Sequence, residues 1–508
     1  MPSVLRTRDG CLAPTLFAAN NVACLASPPI TSPKRTKQAA GALVVLAALL
    51  LTGCAAPTED ATTTATTQTP NIILILVDAL RRDHVGLYGY PKPTTPFIDE
   101  LGRSGVVFDD ALSQAPQTLN STASLFTSRH FPFLLWGVEH APVPGVAPKH
   151  REQWARTPRL AEANLTLAEV LGQGGYETLA LFNNPHHHPT SGFDQGFDEA
   201  RLLERDPGQA YARVDTVVDT FLAWSESTDE VRPIFAYLHL MEPHNPYRPP
   251  ERYREIFPPG KGRHLYTNGP PEPKFTTNDL RHLKALYAGE TRFLDDGLRH
   301  LVESLAERAV LDDTLIVVTA DHGEEFLDHG GLGHGKTVEL EQLRIPLVFG
   351  GGVAQRWAGL RVDETVRNLD LAPTLIDLVG LSIPDDFEGR SLLPLIRGET
   401  SGAAPVAFAW NAQLRSLTTD EWHCMRDMGS DRLTLYHRPT DPAGTIDVSE
   451  DNPEMAALCT REFDRLEAIK LETEKEARIL KTIETGSTLP PESDEVLEQL
   501  EALGYVED

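Results

Sequence analysis

The sequence predicts an α/β protein built on a mostly parallel sheet, and three observations carry that expectation. Ile72 to Val77 is a continuous apolar run of strand character without polar alternation, the pattern of a strand covered on both faces. Segments of strand and helix character then alternate along the chain, as parallel sheets require. Polar residues able to do chemistry, namely Asp78, His239 and the pair Asp321-His322, stand where three of these strands end. In open α/β sheets that edge is where ligands bind.

The chain begins with a different kind of segment. Lys34, Arg35 and Lys37 precede an apolar run from Ala39 to Leu51, which ends in Leu51-Thr52-Gly53-Cys54. A positive region, a short apolar region and small residues at the exit form a secretory signal, and the run is too short for a membrane-spanning helix. The Leu-Thr-Gly-Cys ending resembles the bacterial lipoprotein processing box. That resemblance implies that residues 1–53 are removed as a leader and that Cys54 carries lipid, giving an extracytoplasmic protein anchored to a membrane. An ordinary signal peptide with a chance cysteine is the alternative. Residues 54–69, mostly Ala, Thr, Pro and Gln, read as a flexible tether.

The folded body starts at Asn71, and Asp78 follows its first strand directly. Pro96 to Leu101 opens a helix with proline in the first turn, and Val106 to Phe108 is a short strand. Residues 120–128 read as a short helix that Asn120 and Ser121 can cap. Further strands are expected at Thr178 to Phe182, Pro233 to Leu240, Thr314 to Thr319 and Pro346 to Phe349, with helices near 159–172, 209–226, 277–306 and 368–379. The stretch 243–275, rich in Pro, Gly and aromatic residues, reads as a loop near the site. Beyond about residue 404 the pattern becomes short strands over 404–441 and a charged helix over 451–484. A catalytic domain at 70–403, a smaller C-terminal α+β subdomain at 404–485 and an acidic tail at 486–508 follow from this.

With Cys11 and Cys24 lost in the leader, Cys424 and Cys459 remain, either as one disulfide or as two surface thiols. The 46 Lys and Arg against 73 Asp and Glu give a net charge of -27. Such a surface argues against binding a nucleic-acid backbone, whose affinity comes from positive patches.

The densest chemistry is Thr319-Ala320-Asp321-His322-Gly323-Glu324-Glu325, followed by His329, His334 and Lys336 among glycines. Carboxylate beside imidazole suits a divalent cation. Here the sequence resembles the sulfatase-like branch of the alkaline phosphatase superfamily. The resemblance lies in Asn71 to His84, Gly86-Leu87-Tyr88-Gly89-Tyr90, Ala123-Ser124-Leu125-Phe126-Thr127-Ser128, Thr319 to Gly323, Gly333-His334-Gly335-Lys336 and Gly389-Arg390-Ser391-Leu392-Leu393-Pro394. It implies a three-layer sandwich of alkaline-phosphatase type and hydrolysis or transfer of an anionic ester.

Two departures sharpen that expectation. Classical sulfatases place a Cys or Ser, converted to formylglycine, in a C-x-P-x-R box. Aligned on Ala123-Ser124-Leu125, the box falls on Thr118-Leu119-Asn120-Ser121-Thr122, so the nucleophile position holds Thr118, which cannot become formylglycine. This is similar to the phosphate-transferring members that use an unmodified threonine, with Ser121 as a rival hydroxyl. The second departure is Ala79, where classical sulfatases carry another carboxylate of a calcium site. Asp78, Asp321, His322 and Thr118 therefore suit one divalent ion, with Mn or Zn favoured over Ca or Mg. The resemblance assigns Lys336 to offsetting negative charge and His244, His239 or His334 to protonating the leaving oxygen. The sequence thus points first to phosphate esters and secondly to sulfuric esters, with an anion- or glycan-binding lipoprotein as the non-catalytic alternative.

Overall fold

Asn71–Val77 forms the expected strand, and Ile72 through Val77 are all buried. The computed structural model describes residues 69–137, 158–187, 191–228, 232–265, 268–399 and 405–485. The leader, Cys54, nearly all of the tether, the domain boundary at 404 and the acidic tail lie outside the described residues.

The first strand is central because its apolar character suits burial on both faces. It pairs in parallel with Ile234–Leu240 on one side and Thr314–Ala320 on the other. The nine-stranded sheet continues through Glu177–Phe182 to Glu199–Leu202 at one edge. At the other it continues through Arg344–Gly350 and Val106–Leu112 to Leu360–Val362, with Val366–Arg367 also paired to Val106–Leu112. Only Arg344–Gly350 runs against both of its neighbours. The chain between it and Thr314–Ala320 forms the site loop and one short helix, with no crossover helix to return it in the parallel sense.

Helices complete a three-layer α/β sandwich with a mostly parallel sheet between them. Pro96–Arg103, Val214–Ser225 and the 31-residue helix Thr277–Glu307 pack in one group, and Thr118–Thr127, Leu167–Gln173 and Leu371–Leu378 in another. The sequence places the site helix two residues late. It begins at Thr118, after an extended Gln117, and neither Asn120 nor Ser121 caps it. The segment expected as one helix near 159–172 splits into a two-residue strand, Arg159–Leu160, and Leu167–Gln173, because Thr166 and Glu169 form a capping box that starts the helix there. The stretch 243–275 is not wholly loop, since it holds the helix Glu251–Ile256.

A smaller antiparallel sheet follows, ordered Ala407–Trp410, Leu414–Thr418, Trp422–Asp427 and Leu433–His437. It docks beside the chain that leads to Thr118: Trp410 N donates to Gln114 O at 3.2 Å, and Arg438 Nη2 pairs with Asp110 at 2.6 Å. The two cysteines are not surface thiols. Cys424 and Cys459 are 0% and 1% exposed because the helix Pro453–Thr485 packs on the strand that carries Cys424, and both are free thiols.

Candidate active site

Strand register brings the acidic residues together. Val77 sits level with Ala320, so Asp78 and Asp321 leave their strands at the same height, while Leu76 sits level with His239 on the other side. Asp78, Asp321 and His322 are all fully buried, and each offers a ligand atom within 4.8 Å of the others. The turn after Asp78 is built for this approach. Ala79 adopts a left-handed conformation (φ 59°), a cost for a residue with a side chain, and its N–H donates to Asp321 Oδ1 at 3.0 Å. The Tyr287 hydroxyl locks the turn, donating to Ala79 O at 2.7 Å and accepting from Arg81 N at 2.8 Å.

The carboxylate oxygens divide their tasks. Asp78 Oδ2 accepts from Asn184 Nδ2 at 2.9 Å and faces His239 Nε2 at 3.3 Å, while Oδ1 has no hydrogen-bond partner. Asp321 Oδ1 accepts from the N–H groups of Ala79 and His322, while Oδ2 has none. His322 Nδ1 lies 2.8 Å from Gly323 O and must donate to it, which leaves the Nε2 lone pair facing Asp321 Oδ2 at 3.3 Å. Three acceptors thus converge in a buried space with no donor among them. Buried acceptors are otherwise costly to leave unpaired, so this donor set fits a divalent cation.

Electrostatics agree. Burial pushes the Asp78 carboxyl up, but His244, His239 and His322 together hold it well below the usual range. Burial, then Asp78, raises Asp321, and burial keeps His322 neutral, the form that ligates a metal.

Thr118 opens its helix beside this group. Its Oγ1 lies 3.3 Å from His322 Nε2 and 3.5 Å from Asp78 Oδ2, and the residue is 6% exposed. Ser121, one turn on, is committed elsewhere: its hydroxyl donates to Asp321 O at 2.7 Å and accepts from Asn368 Nδ2 at 2.8 Å and Ser113 Oγ at 3.0 Å.

The remaining candidates take distinct places. His239 is fully buried behind Asp78, with its ring nitrogens facing Asp78 Oδ2 and the Tyr237 hydroxyl. The rings of His322, His334 and His244 follow one another at 4.4 and 5.1 Å between centroids. Burial would lower His334, but Glu324, 3.0 Å from its Nδ1, raises it to about 9, so it is a cation at neutral pH. Lys336 is exposed and makes no hydrogen bond or ion pair among the described residues. It follows Gly335, where a Cβ would meet the Gln117 side chain at 2.9 Å, so the turn carrying Lys336 abuts the start of the Thr118 helix.

Asn184, His186 and Glu324 were not singled out from the sequence. Asn184 and His186 stand in Asn183-Asn184-Pro185-His186-His187, directly after the strand Glu177–Phe182, and Asp78, His244 and His334 are close enough for their charges to act on His186. The signal was available: polar residues at the end of a strand, as at Asp78.

Comparison with known proteins agrees with this geometry. Residues 70–381 match the family model described as Sulfatase, and residues 335–472 that of N-sulphoglucosamine sulphohydrolase, C-terminal. The ulvan-active sulfatase of Formosa agariphila is 25% identical over 368 residues, covering 67% of this chain and 68% of its own. The arylsulfatase of Clostridium perfringens is 24% identical over 390 residues, covering 65% and 79%. The phosphonate monoester hydrolase of Agrobacterium radiobacter superimposes with a TM-score of 0.61 at 20% identity, covering 80% of this chain and 96% of its own. The buried carboxylates and imidazole form a metal-binding hydrolase site, and the chain belongs to the sulfatase family within the alkaline-phosphatase superfamily.

Proposed function

We propose that the chain is a metal-dependent hydrolase of sulfuric esters in which Thr118 attacks as it stands, without conversion to an aldehyde. The observation that carries this is the Thr118 hydroxyl at 3.3 Å from His322 and 3.5 Å from Asp78, beside three converging acceptors. The sulfatase match and the sulfatases among its relatives favour sulfate over the phosphate that the threonine alone suggests.

Asp78, Asp321 and His322 would hold the cation, with Thr118 as a further contact. When bound, the cation lowers the pKa of an adjacent hydroxyl and offsets charge on the ester. Thr118 Oγ1 then attacks sulfur in line. His334, held protonated by Glu324, and Lys336 offer positive charge to the transferring group. His244, whose Nδ1 faces Asn245 O at 2.6 Å, supplies the proton that the leaving oxygen needs. Water attacking sulfur then releases the group and restores the hydroxyl.

A second reading, hydrolysis or transfer of phosphate or phosphonate esters, is favoured by one observation, Thr118 itself. Threonine has no second hydroxyl on its reacting carbon, so its ester must be cleared by attack on the central atom, a step that phosphorus supports well. The test is a matrix of Mn, Zn, Mg and Ca against aryl sulfate, aryl phosphate, a phosphodiester and an aryl phosphonate. The first reading expects metal-dependent turnover with the highest kcat/KM on sulfate. Higher kcat/KM on a phosphorus ester, with the same metal dependence, moves the assignment to the second.

We also propose that the mature protein begins at Cys54 and is held outside the cytoplasm by its lipid. The basic, apolar and Leu-Thr-Gly-Cys pattern of residues 34–54 supports this reading.

A further inference from the structure

The loop Glu242 to Pro250, which carries His244, contains Pro243, Pro246, Pro249 and Pro250, none of which has an N–H to donate. It makes one short internal backbone bond, from His244 N to Met241 O at 2.5 Å. A loop so poor in donors must be held from outside. Glu290, in the middle of the helix Thr277–Glu307, is 1% exposed, and both of its carboxyl oxygens point at this loop. Oε1 accepts from Arg248 N at 2.6 Å, and Oε2 lies 3.0 Å from the hydroxyl of Tyr211. That hydroxyl also lies 3.1 Å from His244 O.

The proton count is informative. Tyr211 has one hydroxyl proton and two acceptors, Glu290 Oε2 and His244 O. The chain of bonds closes when Glu290 itself carries a proton: Glu290 then donates to Tyr211, and Tyr211 donates to His244 O. The surroundings support this. Burial raises the Glu290 carboxyl to about 7, and the charged or titratable groups that face it are Glu242, Arg213, Arg248 and Tyr211.

We propose that Glu290 is a positioning residue that fixes His244 over the site, gripping the loop at Arg248 directly and at His244 through Tyr211. This deepens the proposed function, because the catalytic consequence rests on His244 protonating the leaving oxygen. Glu290 touches no reacting atom and acts only through the loop.

The experiment compares the full chain with Glu290→Gln, Glu290→Leu, Tyr211→Phe and His244→Ala, by amide hydrogen exchange across residues 241–250 and by turnover of 4-nitrophenyl and phenyl esters. Glutamine keeps both contacts, since its carbonyl accepts from Arg248 N and its amide donates to Tyr211, so loop exchange in Glu290→Gln should match the parent. Glu290→Leu and Tyr211→Phe should exchange at least about tenfold faster in the loop. They should also lose about tenfold or more in kcat on the phenyl ester, and less than about twofold on the nitrophenyl ester, which needs no proton. Tyr211→Phe removes one oxygen and serves if Glu290→Leu does not fold. Unchanged loop exchange in the folded variants overturns the proposal, as does Glu290→Gln exchanging as fast as Glu290→Leu. Faster exchange in Glu290→Leu together with a His244→Ala enzyme indifferent to leaving group would leave the clamp standing and remove His244 as the acid.

Discussion

Replacing Asp321 with asparagine separates the two roles of the buried carboxylates. Asp321 Oδ1 accepts from Ala79 N and His322 N, and the amide oxygen of asparagine can accept both. Only the charge and the ligand at Oδ2 are lost. The ligand atoms of Asp78 and Asp321 lie within 4.8 Å, so at an effective dielectric of about 20 their repulsion in the metal-free protein is about 3.5 kcal/mol. Partial protonation of Asp321, whose carboxyl burial and Asp78 raise, relieves some of this. The metal-free variant should therefore be more stable than the metal-free parent by about 1–3 kcal/mol, a rise of roughly 2–6 °C in Tm. The parent should gain about 2.7 kcal/mol from a divalent ion at a hundred times its Kd, and the variant little. Thermal unfolding with and without chelator, then with Mn or Zn restored, measures all four states. A metal-free variant less stable than the parent, with the metal-induced rise intact, would refute the account of these carboxylates.

Ser121→Ala strands Ser113, Asn368 and the Asp321 carbonyl, and denaturant unfolding should show a loss of about 1–3 kcal/mol while the covalent adduct still forms on Thr118. Burial, then Glu290, raises the Glu242 carboxyl to about 8 from its ordinary 4.5, so between these values the folded protein holds a proton that the unfolded chain has released. Its contribution to stability therefore falls as pH rises through that window, and Glu242→Gln should flatten the decline of Tm between about pH 5 and about pH 8. Cys54→Ser should abolish lipid labelling and change the mature N-terminus; detergent partitioning identical to the parent would remove the lipoprotein reading.

Much of the site was legible because it lies where strands end. Asp78 and Asp321-His322 follow apolar runs, and parallel register does the rest, since Val77 and Ala320 are partners. Asn184 and His186 follow a strand of the same kind, but that strand is two places from the first, and sequence order does not give spatial order. The first turn of the Thr118 helix was hidden because Gln117 offers no side-chain cap. Glu324 looked like one acid among several; only the fold brings its two oxygens to His334 and to the Tyr247 hydroxyl. The packing of Cys459 against the strand of Cys424 depends on how the last helix docks, which its charged sequence does not encode locally.

The central claim is that an unmodified Thr118 carries the transferred group. Its most direct test is peptide mass analysis of protein quenched during turnover, beside resting protein and Thr118→Ala. Resting protein should show the Thr118 peptide at its unmodified mass. Quenched protein should show it heavier by one sulfuryl or phosphoryl group, with the fragment ions placing the group on Thr118, and Thr118→Ala should show neither adduct nor turnover. An adduct on Ser121, or turnover in Thr118→Ala equal to the parent, would contradict it.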